Sequence, residues 1–160
     1  MIRKAAIISI SGFVLTSEEK KIINKEKPWG IILFKRNIKS LDQTTKLISS
    51  IRKTIKDKKF PIMIDEEGGN VSRLPHLVNN SFYSQKYFGG LFEKKNNNAQ
   101  IIYKNYTNSI CTILKKIGVN INTVPVLDSL RSVTHKSIGN RCFSKNSILV
   151  NKVGKLCVSL

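Results

Sequence analysis

Pro61-Ile62-Met63-Ile64-Asp65-Glu66-Glu67-Gly68-Gly69-Asn70-Val71-Ser72-Arg73 runs from a short apolar stretch straight into three carboxylates, two glycines and an arginine. A continuous apolar run of this length suits a strand covered on both faces, as parallel strands are. Carboxylates placed directly after such a strand are costly unless they are solvated or paired. In parallel α/β folds the C-terminal ends of the strands are also where ligands are met. The segment therefore reads as a buried strand feeding a candidate binding loop.

The same alternation extends in both directions. Upstream, Ala5–Ile10 is a β-branched run of strand length, and Thr16-Ser17-Glu18-Glu19 fits a capping box opening a short helix that ends before Pro28. Gly30-Ile31-Ile32-Leu33-Phe34 is a second strand, broken by Lys35-Arg36-Asn37. Ser40 and Gln43 fit another capping box, and Leu41, Leu47, Ile48, Ile51 and Ile55 recur at helical spacing. Downstream, a long connection rich in Asn, Ser, Phe and Tyr contains Pro75 and Gly89-Gly90. A helix is expected from about Asn98 to Ile117, stopped by Gly118 as its C′ residue. Val119–Leu127 reads as a fourth strand ending at Asp128. Ser144 is a candidate N-cap for a helical stripe through Leu149, Val153, Leu156, Cys157 and Leu160, a pattern still running where the sequence stops. Such serial βα units imply an α/β fold with a parallel sheet flanked by helices. A doubly wound sheet and a (β/α)₈ barrel fit the pattern equally well.

Composition bounds the function classes. The 160 residues suffice for one domain with a real core, and 41% are hydrophobic, as in a globular protein. A net charge of +18, from 28 Lys+Arg against 10 Asp+Glu, invites a nucleic-acid reading. The excess is mostly Lys scattered among Asn and Ile, all with A/T-rich codons, so genome base composition accounts for it better than a polyanion partner. Cys111, Cys142 and Cys157 form no metal-ligand spacing and read as free thiols in a reducing, cytoplasmic compartment. Met1-Ile2-Arg3-Lys4 and the apolar run after it resemble a secretory leader. No small-residue cleavage site follows, and a first strand explains the run better. No stretch is long enough to span a membrane.

Two segments put polar residues where chemistry is expected. In Asp65–Arg73, a carboxylate that accepts from hydroxyls and a guanidinium that donates to them suit a polyhydroxyl ligand together. On spacing alone the same residues read more readily as a strand-end turn with one structural salt bridge, since ion-pair networks also sit in clefts. In Ser137-Ile138-Gly139-Asn140-Arg141-Cys142-Phe143, Arg141 is either a ligand anchor or a surface arginine resting its stem on Phe143. His76 and His135 are solitary loop histidines, and no phosphate loop, dinucleotide glycine motif or Gly-x-Ser-x-Gly elbow occurs.

Four segments taken in order resemble the N-terminal motifs of glycoside hydrolase family 3, and within it the bacterial cytoplasmic β-N-acetylhexosaminidases. They are Gly30-Ile31-Ile32-Leu33-Phe34-Lys35-Arg36-Asn37, the Ile64–Arg73 segment, Asn122-Thr123-Val124-Pro125-Val126-Leu127-Asp128 and Ile138-Gly139-Asn140-Arg141-Cys142-Phe143. The resemblance runs from about Ser9 to the end of the sequence. It implies a (β/α)₈ barrel of which residues 1–160 are the N-terminal portion, with Asp65, Arg73 and Arg141 binding hydroxyls of the terminal sugar. It also implies retaining hydrolysis of β-linked N-acetylglucosamine from non-reducing ends, in peptidoglycan-fragment recycling, without a cofactor.

The family's Lys-His-Phe-Pro-Gly-His-Gly segment, with its acid/base His, and the later nucleophilic Asp are expected beyond Leu160. No residue of this sequence is therefore expected to be catalytic, and the chain alone is expected to be inactive. A (β/α)₈ barrel takes about 250 residues, so roughly half is expected here, with open sheet edges. A second class of reading is a non-enzymatic module binding sugar or, through its charge, nucleic acid.

Overall fold

Lys4–Ser9 (β1), Pro28–Leu33 (β2), Ile62–Ile64 (β3) and Ile121–Asn122 (β4) lie side by side in the order β1-β2-β3-β4. All three pairings are parallel, with Ile8 opposite Ile31, Ile31 opposite Ile62 and Met63 opposite Ile121. The helices are Ser17–Glu26 (α1), Leu41–Ile55 (α2), Gln85–Glu93 (α3), Ala99–Ile117 (α4) and Ser147–Val158 (α5). This computed structural model describes residues 2–160. The architecture is the expected α/β one, as an open sheet of four parallel strands with β1 and β4 at its edges. No described helix is long and apolar enough to cross a membrane.

The chain divides into two compact units. The first comprises residues up to Asp65, Arg73–Val78 and Ile113–Thr123, and so holds the whole sheet. Strand alternation puts Ile31, Leu33, Ile62 and Ile64 in its core, where the α2 stripe of Leu47, Ile48, Ile51 and Ile55 is also buried. Both early caps form. Thr16 and Glu19 make the complete capping box. Ser40 accepts from Gln43 N–H, but the Gln43 carbonyl reaches one residue further back, to Lys39 N–H. The break after β2 has a specific job: the buried Asn37 amide donates to the Ile10 and Gly12 carbonyls and accepts from Phe34 N–H. It thereby ties the end of β1 to the end of β2.

The second unit comprises Glu66–Ser72, Asn79–Thr112 and Val124–Leu160. Its core gathers Phe88, Tyr103, Phe143, Val150 and Val153.

Three expectations are corrected. The connection after β3 is not all loop, because α3 runs through Gly89 and Gly90. A Cβ at Gly89 would lie 1.7 Å from the Phe143 carbonyl oxygen, so close packing explains a glycine that reads as a breaker. The fourth strand is two residues long, and the Val124-Pro125 peptide that follows it is cis. The last helix is capped by Asn146, whose side chain accepts from Ile148 and Leu149 N–H, while Ser144 Oγ accepts from Asn146 N–H.

Candidate functional site

Asp65 follows the last residue of β3 and is met at once by Arg73. The guanidinium donates through Nε to Oδ1 at 2.6 Å and through Nη2 to Oδ2 at 2.5 Å. Both side chains keep roughly a quarter of their surface, 22% for Asp65 and 25% for Arg73. The guanidinium also lies over the Phe34 ring, 5.5 Å from its centroid, which further fixes the orientation of the fork. Two hydrogen bonds do not exhaust a carboxylate, which offers about four acceptor positions. The pair can therefore stay intact and still accept a hydroxyl.

In the second unit Glu67 meets Arg141 in the same way, Nε to Oε2 and Nη2 to Oε1, both at 2.8 Å. Here the carboxylate is buried, with 4% of its side chain exposed, and the guanidinium keeps 31%. Arg141 ends the 3₁₀ turn Gly139–Arg141, immediately before Cys142 and Phe143, which are buried. Arg141 is therefore neither solitary nor simply resting on its neighbour Phe143. Its charge is neutralised by a carboxylate 74 residues away in sequence.

The turn carrying Glu67 is built from both sides. Glu67 N–H donates to the Val71 carbonyl at 3.0 Å, and Val71 N–H to Gly68 at 3.3 Å. Gly68 and Gly69 take φ of +78° and +59°, and a Cβ on Gly68 would fall 2.3 Å from the Tyr83 carbonyl oxygen. Both the conformation and the space demand glycine. Beneath the turn sits Glu66, buried, accepting from Gly68 N–H at 3.1 Å, Asn80 Nδ2 at 2.6 Å and Ser72 Oγ at 3.3 Å. The Tyr106 hydroxyl lies 3.4 Å from the same Asn80 amide. Burial, with Glu66 and Tyr83 adding and the Asn80 hydrogen bond opposing, pushes its pKa up to about 12, so it stays neutral.

Of the residues singled out in sequence, Asp65 and Arg73 are thus joined, and Arg141 is joined to a residue not singled out. Glu67 was legible only as one acid of three; a buried acid needing a cation was the signal for its pairing. His76 and His135 are exposed, and His135 Nδ1 lies 2.8 Å from Ser137 Oγ.

The family model for the glycosyl hydrolase family 3 N-terminal domain matches residues 4–159. The chain belongs to glycosyl hydrolase family 3. The β-hexosaminidase of Thioalkalivibrio sulfidiphilus is 26% identical over 144 residues, which are 90% of this chain and 41% of that protein. A β-hexosaminidase of Stenotrophomonas maltophilia (strain K279a) is 28% identical over 144 residues, 90% of this chain and 42% of its own. The crystal structure of NagZ from Neisseria gonorrhoeae in complex with N-trifluoroacetyl-D-glucosamine superposes with a TM-score of 0.85 at 26% identity. That match covers 97% of this chain and 46% of NagZ. The family 3 chain therefore spans less than half the length of these relatives, and its four parallel strands are part of the barrel-type fold of its structural neighbours.

Proposed function

We propose that this family 3 chain forms the terminal-sugar subsite of a β-N-acetylhexosaminidase that removes β-linked N-acetylglucosamine from non-reducing ends of peptidoglycan fragments. Asp65 accepts hydrogen bonds from the sugar's hydroxyls, and Arg73 and Arg141 donate to them. The observation that carries this reading is the pair of two-point arginine–carboxylate locks, Asp65–Arg73 and Glu67–Arg141, in a chain of this family. A sugar hydroxyl both donates and accepts, and rigid donor–acceptor pairs meet both needs without reorganisation. The bound N-trifluoroacetyl-D-glucosamine of the Neisseria relative supports the choice of sugar.

The reacting groups are not among the three acids here. Retaining hydrolysis needs a nucleophile and an acid/base flanking one glycosidic bond. Asp65, Glu66 and Glu67 all arise from one strand end. Asp65 and Glu67 are each locked to an arginine, and Glu66 is buried against Asn80 and Ser72. The acid/base and the nucleophile are therefore not supplied by these three acids. The free thiols of Cys111, Cys142 and Cys157 support a reducing, cytoplasmic setting.

The test is a ligand-observed NMR comparison of N-acetylglucosamine, glucose and N-acetylgalactosamine, run beside a chromogenic N-acetyl-β-glucosaminide assay. N-acetylglucosamine should bind in preference to the others, with no chromophore released. A folded chain that binds none of the three would overturn the reading.

A further inference from the structure

The loop between the Gly68–Gly69 turn and α3 carries an aromatic group that the terminal-sugar subsite does not use. Phe82 is 67% exposed and Tyr83 38% exposed. Scattered exposed aromatics are ordinary, but these rings are not loose. Phe82 packs on Tyr87 with centroids 4.6 Å apart and stands edge-on to Tyr83 at 5.6 Å, and Tyr83 meets Tyr87 edge-on at 5.8 Å. Tyr83 in turn stacks on Phe88 at 6.1 Å, which is fully buried in the core of the second unit. The exposed ring is thus held against a rigid base, and presenting it to a ligand costs little side-chain freedom.

The backbone beneath the rings is fastened to the segment that carries Glu67. The Asn80 carbonyl accepts from Gly69 N–H at 3.1 Å and from Tyr83 N–H at 3.0 Å. The Asn80 side chain donates to Glu66, and Ser84 caps α3 through Tyr87 N–H at 3.2 Å. One network therefore holds both the turn bearing the Glu67–Arg141 pair and the loop bearing Phe82. The surround is polar, with Asn79 and Ser81 hydrogen-bonded to each other at 2.8 Å beside the ring.

We infer that Phe82, backed by Tyr83 and Tyr87, is a stacking shelf for a second pyranose of the same saccharide. A pyranose offers an apolar C–H face to an aromatic ring and hydroxyls to a polar rim, which is the surface found here. The shelf rests on the reading of Arg141 as a sugar contact, since it takes the next residue of a chain whose terminal sugar Arg141 holds. A protein surface or a lipid bilayer would need a broader apolar face than Phe82 and the exposed part of Tyr83 within a polar loop.

The test is titration of the full chain with N-acetylglucosamine and with N,N′-diacetylchitobiose, in the native protein and in Phe82→Ala, Phe82→Trp and Arg141→Ala. The disaccharide should bind more tightly than the monosaccharide. In Phe82→Ala that affinity ratio should fall roughly three- to tenfold, the worth of one aromatic contact, and Phe82→Trp should restore it. An unchanged ratio in Phe82→Ala overturns the shelf and leaves the Arg141 reading standing. An equal loss for both sugars overturns it too, because Phe82 then acts on the fold or on the first subsite. A Phe82-dependent ratio that Arg141→Ala leaves untouched, with monosaccharide affinity also untouched, supports the shelf and overturns the proposed subsite. Failure of the native chain to bind either sugar overturns both.

Discussion

Arg141 meets Glu67 across 74 residues of sequence with two hydrogen bonds of 2.8 Å, and the carboxylate it meets is almost wholly buried. Each group accounts for the other. A carboxylate so buried needs a fixed cation, and the Arg141 guanidinium is held in one orientation by its two bonds to it. The pair joins the 3₁₀ turn before Phe143 to the glycine turn after β3, so fold and site share it.

Arg141→Ala should therefore cost stability as well as ligand. Removing one partner of a fully buried pair costs about 3–5 kcal/mol; Arg141 keeps 31% exposure, so about 2 kcal/mol is expected. Arg141→Lys keeps the charge but loses the fork, at about 1 kcal/mol. Urea midpoints at constant slope would measure both. Equal stability of all three proteins would show that the pair is dispensable to the fold.

Neighbouring glycines in α3 should respond in opposite directions. At Gly89 a Cβ would collide with the Phe143 backbone at 1.7 Å, whereas at Gly90 nothing lies within 4 Å. Gly89→Ala should cost at least about 3 kcal/mol through overpacking. Gly90→Ala should gain about 0.5–1 kcal/mol as an ordinary helix-interior replacement. Thermal melts of the two variants separate packing from propensity.

These glycines also mark where the sequence stops being legible. The early strands, α1, α2 and the end of α4 at Gly118 follow from local signals: apolar runs, caps and one left-handed glycine at φ +96°. Helix α3 does not, because the reason Gly89 sits in a helix is a carbonyl 54 positions later, and no window of sequence contains both. The fourth strand fails for a related reason. Val119–Leu127 has strand composition, but only Ile121 and Asn122 find ladder partners, on Met63 and Ile64. The site divides similarly. Asp65 and Arg73 are near neighbours and were readable as a possible pair. Glu67 and Arg141 are not, and only the fold brings them together. The Glu66–Asn80 contact, likewise tertiary, was invisible.

The capping box of α1 makes stability depend on acid. Burial opposes ionisation of Glu19, but hydrogen bonds outweigh it: backbone N–H groups of Thr16 and Ser11, each 2.8 Å away, and both hydroxyls. Its folded pKa is held below the ordinary 4.5. A depressed folded pKa gives stability that is present above the unfolded value and lost as pH falls through the folded one. Glu19→Gln should thus melt at a lower temperature than the native protein at about pH 6, and the gap should narrow by about pH 3. A gap independent of pH would mean that the Glu19 charge contributes nothing.

The proposed role of Asp65, Arg73 and Arg141 is to hold the terminal sugar. Its most direct test is calorimetric titration of N-acetylglucosamine into the folded chain, into Asp65→Ala and into Arg141→Ala. The native chain should bind saturably, and each variant should lose at least about tenfold in affinity, the loss of a charge-assisted hydrogen bond. Native-like affinity in both variants, with their folds intact, would contradict it.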